Sequence, residues 1–522
     1  MHPALQIFDI LDNILRCVEE RQYKRRAVVA LARTCRTFYE TASDHLWEDL
    51  PRLSYLFEFV PQDLHKKVKL HATCGEQDQA RQLCDPVWRR ITANAARVKS
   101  LTFNCSDCPC LKQHMPMIDL MRTDGSSGIF PNLRTLSVGY SDSCSDKHPT
   151  PRQLAVVLNP DIRQLTVSHG PEDEFGGTIN ISKGILPCII RSCPLLEVVI
   201  LNDNPGREGV KMLRSLGSLK RVECTLHGEE TAESWDLEYD LIDLAPAPAL
   251  SDLSINAPWD YADVARDLPR YQPTSFSDLK TLELSQFPFE HTIVSLLEKL
   301  DAPLLQKLEI NGLAKLRRDG EDHLVRLLGL LQKFLQLRVL KIRGRSVDEP
   351  LRLQPSLRLW ALEELEINIR SALKVSLISE VAQACPHLRR FAGYWGPYES
   401  RAKPWNLRVL EECAANMPHL ECISTKFYTE NIRELQEPSA RSSFPITICV
   451  GRSELEERDW EDVAAYIAKI YPNAICQVYS TLKWDDIPDN KLYADDVRWR
   501  SVSRAVAEAG SLESSGAHGE SI

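Results

Sequence analysis

The sequence predicts an α/β fold in which a short strand, a loop and a helix repeat along most of the chain. Three observations predict it. An apolar phrase recurs, in which an anchor residue is followed by apolar residues three and five positions later. Helical periodicity occupies the intervals between copies, and a proline often stands two residues before the anchor. Together these features are typical of a repeat protein whose units stack side by side.

The apolar phrase predicts the strands, because apolar residues spaced by two lie on one face of a strand. Ten intervals from Leu133 to Leu420 give a mean period of about 29 residues, at the upper end of the range for leucine-rich repeats. The clearest copies are Leu133, Leu136, Val138; Leu196, Val199, Leu201; Leu250, Leu253, Ile255; Leu279, Leu282, Leu284; Leu305, Leu308, Ile310; Leu337, Leu340, Ile342; and Leu362, Leu365, Ile367.

The intervals between the phrases predict helices. Apolar residues at Ile293, Leu296, Leu297 and Leu300 follow the helical spacing i, i+3, i+4, i+7. Proline cannot continue a helix, so a proline before the anchor ends the helix where the next strand begins. These prolines are Pro131, Pro194, Pro248, Pro303, Pro386 and Pro418. The predicted architecture is a leucine-rich-repeat solenoid, with a curved parallel sheet inside and helices outside.

A doubly wound α/β fold would also alternate strands and helices. Its strands are buried on both faces and are therefore apolar throughout. Here the positions between the apolar residues are polar, as at Lys307 and Glu309 or at Glu364 and Glu366. One face of the sheet is therefore expected to contact solvent, which favours the solenoid.

The first 50 residues do not follow the repeat and predict two or three short amphipathic helices. Such helices bury little apolar surface alone, so they need the solenoid or another protein. The first apolar stripe is Ile7, Ile10, Leu11, Ile14, Leu15 and Val18, and the second is Val28, Leu31, Ala32, Cys35, Tyr39 and Ala42.

This segment resembles the F-box-like domains found in large fungal families. The matching stretches are IFDILDNIL and ALARTCRTFYETASDHLWEDL, with the Cys35-Arg36 pair, Phe38 and the Leu46-Trp47 pair in the family's order. The resemblance implies a substrate-recognition subunit of an SCF-type ubiquitin ligase, with no active site of its own. The helices would bind the adaptor subunit of the ligase, and the solenoid would bind a target protein. The implied adaptor contacts are Ile10, Leu11, Ile14, Leu15, Leu31, Cys35, Phe38 and Trp47.

Two alternatives remain open for this segment. The same apolar residues could instead pack the helices onto the first repeats. The Leu-Pro dipeptide that opens most F-boxes is absent, and Ile7-Phe8 stands near its place. The alternative function is therefore a leucine-rich-repeat scaffold that binds proteins without a link to a ubiquitin ligase.

The domain boundaries follow from these patterns. Alternation at 446–450, a helical pattern at Trp460, Val463, Ala464 and Ile467, and a further strand at 475–479 indicate a cap on the last repeat. The Gly- and Ser-rich end predicts a disordered tail. The expected segments are an F-box-like module at 1–50, a helical linker at 51–95, the solenoid at 96–450, the cap at 451–488 and a largely disordered tail at 489–522.

A target site is predicted where aromatic residues follow several strands. Loops at one end of a solenoid sheet form a continuous rim, and aromatic residues there are typical binding anchors. The alternative is that these residues cover the edge of the apolar core. The candidates are Trp259, Tyr261, Phe287, Tyr394 and Trp395 on the rim, with Arg343, Arg370 and Arg390 on the inner face.

Composition excludes several classes of protein. Hydrophobic residues make up 43% and charged residues 26%, as in folded proteins. The net charge of −10 argues against nucleic acid as the main partner. No apolar run approaches the roughly 18 residues of a membrane span, and Asp9 and Asp12 interrupt any signal-peptide core. The 16 cysteines are therefore expected to be reduced thiols in a cytoplasmic or nuclear protein.

The sequence also argues against an enzyme. It contains no GxxxxGK[ST] phosphate loop, no HExxH and no GxSxG, so no catalytic residue and no cofactor is expected. A zinc site formed by Cys105, Cys108, Cys110 and His114 is possible in principle. The Cys-x-Cys spacing is too tight for common structural zinc sites, and a cysteine-rich loop without metal is the favoured interpretation.

Overall fold

The structure is a computed structural model that describes residues 8–516 apart from nineteen internal segments. These segments are 20–23, 74–75, 105–106, 123–127, 141–149, 170–184, 203–205, 226–246, 257–273, 287–289, 314–322, 347–352, 354–356, 371–375, 394–404, 430–431, 451–452, 454 and 479–488. The chain divides into two compact units, Met1–Leu250 and Ser251–Ile522, which we call unit 1 and unit 2.

Unit 1 begins with helices and continues as alternating strands and helices. Its helices are α1 Phe8–Glu19, α2 Lys24–Ala32, α3 Arg36–Glu48, α4 Gln62–Thr73, α5 Gln77–Ala95, α6 Cys108–Met121, α7 Pro151–Val157, α8 Leu186–Ser192 and α9 Gly206–Arg214, with a 3-10 helix at Leu53–Leu56. Its strands are β1 Asp49–Leu50, β2 Ser100–Asn104, β3 Thr135–Tyr140, β4 Gln164–His169, β5 Val198–Asn202 and β6 Arg221–Thr225.

The strands of unit 1 form a parallel sheet in chain order, from β1 to β6. The register aligns the middle apolar residue of each predicted phrase with its counterpart in the next strand. This row is fully buried and consists of Leu101, Leu136, Leu165, Val199 and Val222. The apolar residues of the predicted phrase therefore lie on the side of the sheet that faces the core.

Unit 2 repeats the same alternation. Its strands are β7 Asp252–Asn256, β8 Thr274–Ser275, β9 Thr281–Ser285, β10 Leu300–Asp301, β11 Lys307–Leu313, β12 Val339–Ser346, β13 Glu364–Arg370, β14 Arg390–Gly393, β15 Trp405–Asn406, β16 Cys422–Thr425, β17 Phe427–Tyr428, β18 Thr447–Cys449 and β19 Ile475–Gln477. Its helices are α10 Glu290–Lys299, α11 His323–Leu330, α12 Ser376–Ala384, α13 Arg408–Asn416, α14 Trp460–Ile470 and α15 Asp489–Gly516, with 3-10 helices at Leu331–Lys333 and Ile432–Glu434.

The main sheet of unit 2 is also parallel, in the order β7-β9-β11-β12-β13-β14-β16-β18-β19. Two short parallel pairs, β8 with β10 and β15 with β17, lie apart from it. The buried row of this sheet is Leu253, Leu282, Leu308, Leu340, Leu365, Phe391, Ile423, Ile448 and Cys476. The predicted α/β class, with a parallel sheet and flanking helices, is confirmed.

Backbone hydrogen bonds explain how each strand starts. The carbonyl of the residue before one strand accepts from two successive amides of the next unit. Lys280 O accepts from Gln306 N and Lys307 N, and Gln306 O accepts from Arg338 N and Val339 N. Because the same pair of hydrogen bonds recurs between successive units, each strand is aligned with the next in the same register.

Two of the predicted boundaries change. The sheet starts at β1, where Asp49 and Leu50 pair with Ser100 and Leu101, before the expected start at residue 96. It also continues past residue 450, because β19 pairs with β18. Helix α3 therefore runs directly into the first strand.

The expected disordered tail is wrong for residues 489–516, which form helix α15. The buried side chains of Trp499, Val502 and Val506 attach this helix to the end of unit 2. Their spacing of i, i+3, i+7 is helical, and the polar composition around them concealed it. Within the described residues, no helix combines the length and apolar character that crossing a membrane requires.

Candidate protein-interaction surfaces

The first candidate surface lies on the three N-terminal helices, α1 to α3, which we call the module. Its interior is a small apolar cluster of Leu15, Val28 and Ala42, against which Leu31, Ala32 and Leu46 pack. Leu11 is buried as well. Helix α1 therefore turns one side of its apolar stripe towards α2 and α3.

A polar contact fixes helix α1 on helix α3. The buried His45 ring donates from Nε2 to Asp12 Oδ1 at 2.8 Å, and Arg16 Nε donates to the other carboxylate oxygen at 2.8 Å. Burial raises the pKa of Asp12, but the hydrogen bonds from Arg16 and His45 outweigh it and hold that pKa below its usual 3.8. The charged carboxylate thus connects the two helices and sets the rotation of α1.

The packing of the three helices leaves apolar side chains on each of them in solvent. Ile10 is 36% exposed, Ile14 38%, Val29 42% and Tyr39 55%. We call these four residues the module surface. Single exposed apolar residues are ordinary, whereas exposed apolar patches mark interaction sites, so these four residues on 34 residues of helix are the candidate site of the module.

The predicted adaptor contacts fall into three groups in the structure. Ile10 and Ile14 belong to the module surface, while Leu31, Cys35, Phe38 and Trp47 are half-buried. Leu11 and Leu15 are buried, and Leu15 packs against Val28 and Ala42 inside the module. The sequence interpretation did not select Val29 and Tyr39, because helical periodicity assigns a stripe without showing which edge stays exposed.

The module is attached to the sheet of unit 1 by ion pairs. Arg97 Nε contacts Asp44 Oδ1 at 2.7 Å, and Arg97 Nη2 contacts Glu40 Oε2 at 2.6 Å. Lys99 Nζ lies 3.0 Å from Glu48 Oε1. Together with the β1–β2 pairing, these contacts connect helix α3 to the first long strand.

The second candidate surface is the polar face of the sheet in unit 2. Arg343 binds Glu366 through two parallel bonds, Nε to Oε1 at 2.7 Å and Nη2 to Oε2 at 2.9 Å. Lys341 Nζ lies 2.9 Å from Glu364 and 3.8 Å from Glu309. The cations of β12 are therefore paired with carboxylates on the neighbouring strands β11 and β13, which largely neutralise them.

The predicted target residues have different environments on this face. Arg343 is already engaged by Glu366, whose hydrogen bond raises the pKa of the guanidinium. Arg390 is exposed. Arg370 ends strand β13, but its side chain is not described. The predicted rim aromatics Trp259, Tyr261, Phe287, Tyr394 and Trp395 lie outside the described residues.

A thiol pair lies beside Arg390 on this face. Cys422 Sγ and Cys449 Sγ are 4.0 Å apart on neighbouring strands β16 and β18. A hydrogen bond from the Cys449 thiol lowers the pKa of Cys422, burial opposes this, and the positive charge of Arg390 adds to the lowering. Cys422 is therefore the more acidic of the two thiols.

The cysteine-rich segment after β2 does not form a metal centre within the described residues. His114 is buried and its ring stacks on Phe57, with ring centroids 4.4 Å apart. Burial raises the pKa of Cys110 to about 11, so its metal-binding thiolate form is disfavoured. No three described His, Cys, Asp or Glu side chains lie close enough together to hold a metal ion. Cys105 is outside the described residues.

No family model matches the chain, and no curated protein matches it. The chain is similar to the crystal structure of a protein from Bacteroides fragilis, with 15% sequence identity and a TM-score of 0.26. The alignment covers 69% of this chain and 76% of the other. A similarity at that TM-score supports no inference about function.

Proposed function

We propose that the chain is a leucine-rich-repeat solenoid with an F-box-like module, and that it acts as the non-catalytic substrate-recognition subunit of an SCF-type ubiquitin ligase. The observation that carries the proposal is the module surface. Four apolar side chains stand in solvent on helices whose interior is formed by Leu11, Leu15, Val28 and Ala42. The F-box-like sequence resemblance assigns the adaptor subunit as the partner of this surface.

Attachment of the module to the sheet supports the same proposal. A recognition subunit must hold its target at a defined distance from the adaptor, because a separate enzyme transfers ubiquitin to the target. The ion pairs of Arg97 with Glu40 and Asp44, and the pairing of β1 with β2, limit rotation of the module on the first strands. A flexible linker would give no such constraint.

The polar sheet face is the proposed target site, together with the rim aromatics that the sequence predicts. Because Arg343 is neutralised by Glu366, the exposed Arg390 is the described cation best placed to contact an acidic target. Target binding by this face is expected to depend on salt, since charged contacts at a surface are screened.

A pull-down against the ligase adaptor tests the proposal. The double variant Ile10→Ser/Ile14→Ser removes two exposed side chains and leaves the module interior intact. We expect the wild type to bind the adaptor and the variant to bind at least about tenfold more weakly, since two aliphatic anchors contribute roughly 1.4 kcal/mol or more. Leu83→Ser on helix α5 is the matched control, because Leu83 is an exposed leucine outside the module.

The second candidate function is a protein-interaction scaffold without a ligase link. The ion pairs from the module to the sheet also suit a module that only covers the first repeat. Absence of adaptor binding by the folded wild type would reject the ligase role and favour this scaffold. Equal binding by wild type and the Ile10/Ile14 variant would remove the module surface from the proposal.

A further inference from the structure

A row of exposed apolar residues crosses the end of the unit 2 sheet at which the strands begin. We call this end of the sheet the edge. The row occupies the position two residues before the anchor in five successive units, and Phe444, one residue before Pro445, the register equivalent of the anchor Leu420, extends it to the sixth. Leu335 is 80% exposed, Trp360 61% and Phe444 57%, although each is large and apolar. Between and beside them stand prolines, so that the edge row reads Pro303, Leu335, Trp360, Pro386, Pro418 and Phe444 along the strands β11, β12, β13, β14, β16 and β18.

A second row of charged residues runs parallel to the edge row, one residue after the anchors of the strands β12, β13, β14 and β16. Its signs alternate from strand to strand, in the order Arg338, Glu363, Arg389 and Glu421. Neighbours contact each other within the chain: Arg338 Nη1 lies 3.6 Å from Glu363 Oε1, and Arg389 Nη1 lies 3.3 Å from Glu421 Oε1.

The two rows share one surface. A cavity of about 580 Å³ is lined by Pro418 and Phe444 from the edge row and by Glu363, Arg389 and Glu421 from the charged row. His387 and His419 also line this cavity, and their rings stack. They occupy the positions one residue before the anchors, between the edge row and the charged row. Apolar and charged residues on this edge can therefore contact a single partner together.

When two copies of this edge run in opposite directions, the residues of one copy are complementary to those of the other. A two-fold axis between β13 and β14 would bring Arg338 opposite Glu421 of the second copy. The same axis would bring Glu363 opposite Arg389 of the second copy. In the edge row it would place a proline opposite each of two large apolar residues, in the pairs Trp360 with Pro386 and Leu335 with Pro418.

The intervening positions are compatible with that arrangement as well. His387 would lie opposite Ala361 of the second copy, and His419 opposite Gln336. No charged residue of the described edge would face a like charge. A two-fold interface requires this property, since the same surface patch serves both subunits.

We propose that this edge of unit 2 binds a second copy of the chain in a two-fold homodimer. The inference stands independently of the ligase proposal, which concerns the module in unit 1. Five strand intervals of about 4.8 Å make the edge about 24 Å long, which suits an interface at the small end of the known range. A weak dimer with a dissociation constant of micromolar order is therefore expected.

Charge reversal combined with analytical ultracentrifugation tests the dimer. Sedimentation velocity of the full chain from about 1 to 200 µM should show a concentration-dependent dimer. Glu363→Arg would place arginine opposite Arg389 of the second copy, and Arg389→Glu would place glutamate opposite Glu363. Each variant alone should weaken dimerisation by at least about tenfold.

Mixing the two variants makes the test specific. In a mixed dimer, the arginine introduced at position 363 of one chain faces the glutamate introduced at position 389 of the other. At the second contact the native Arg389 of the first chain faces the native Glu363 of the other. We expect the mixture, and also the double variant E363R/R389E, to recover dimerisation close to the wild type. Arg433→Glu, which reverses an exposed charge elsewhere in unit 2, is the matched control and should leave the dimer unchanged.

Three outcomes would overturn the proposal. They are a wild type that stays monomeric up to about 200 µM, a dimer that both single reversals leave intact, and variants that fail to dimerise when mixed. A thermal unfolding scan of each variant shows that the chains compared are folded. Recovery in the mixture cannot come from misfolded chains, so the result does not depend on that scan alone.

Discussion

Gly128 lies where the chain crosses close to the backbone that follows helix α7. Its amide donates to Leu158 O at 2.9 Å, and the next amide, of Ile129, donates to Val156 O at 2.8 Å. A β-carbon at residue 128 would lie 2.6 Å from both carbonyl oxygens. Since backbone atoms cannot rotate away as a side chain can, this position has room only for glycine.

We therefore expect Gly128→Ala to lower the free energy of unfolding by about 1–3 kcal/mol, the usual cost of overpacking. Gly217→Ala is the matched control, because no atom lies within 4 Å of a β-carbon there. Chemical denaturation monitored by circular dichroism would compare the two variants. Equal stability of both would show that the segment at 128 can move away from residues 156–158.

Cys422 gives a second prediction at the scale of one residue. Because its pKa lies below the usual 9.0, its thiolate fraction should rise at lower pH than that of an ordinary thiol. Alkylation by iodoacetamide, followed residue by residue with mass spectrometry, should therefore reach half its maximal rate at lower pH at Cys422 than in an unstructured cysteine peptide. Arg390→Leu should move the Cys422 profile to higher pH. A profile like that of the peptide would contradict the prediction.

At the scale of elements, helix α15 completes the last strands of unit 2. Trp499 is almost fully buried, and its indole Nε1 donates to Ser453 O at 3.0 Å. The Arg498 guanidinium donates to Leu455 O at 2.7 Å, and Ser503 Oγ accepts from Cys476 N in β19. The helix thus covers apolar residues and satisfies backbone groups at the end of the sheet, as terminal caps of repeat proteins do.

The stability of this cap is expected to depend on Trp499. Trp499→Ala removes a large buried side chain and should destabilise unit 2 by about 3–5 kcal/mol. Val497→Ala is the control, since Val497 lies on the same helix but is exposed. Limited proteolysis should cut the Trp499 variant within 489–516 much faster than the wild type. Equal cleavage rates would mean that the helix is not held by this side chain.

At the scale of the whole molecule, both units bury cysteine thiols. Burial raises the pKa of Cys193 in unit 1 and of Cys385 and Cys476 in unit 2 to about 12, against a usual 9.0. The folded chain therefore retains these protons at a pH where the unfolded chain loses them. The stabilisation is fully present below about pH 9 and is lost progressively as pH rises towards 12.

Stability should consequently fall in alkaline buffer, by up to about 1.4 kcal/mol per pH unit for each such thiol. Thermal unfolding in reducing buffer between about pH 7 and 11 would measure the slope. Cys385→Ala should flatten it, whereas Val381→Ala, which removes buried volume from the helix that Cys385 directly follows without removing a titrating group, should not. An unchanged slope in the cysteine variant would rule out Cys385 as a contributor.

Most of the core could be predicted from the sequence. Leu308, Leu340 and Leu365 occupy one buried row of the sheet. Each has the same position in its phrase, and that position decides on which side of the strand the side chain lies. The helix at 460–470 and the strand at 475–477 were also accessible from periodicity. These features are local and repeated, so few residues suffice to recognise them.

The candidate surfaces were less predictable. The sequence pointed to Arg343 as a target-binding cation, but Glu366 on the next strand engages it. It grouped Leu11 with Ile14, whereas packing on α2 and α3 buries the first and exposes the second. Which member of an apolar stripe stays exposed depends on the neighbouring helix, and periodicity does not encode that neighbour.

The sequence by itself determined the repeating strand and helix units, their parallel register and the residues that form the core, because these follow from spacing within about 30 residues. Only the tertiary structure decided the exposed row from Leu335 to Phe444, the alternating charges beside it and the docking of α15. Those features arise between residues of different units. Their energies depend on which side chains the stacked strands bring together, and no local pattern specifies that.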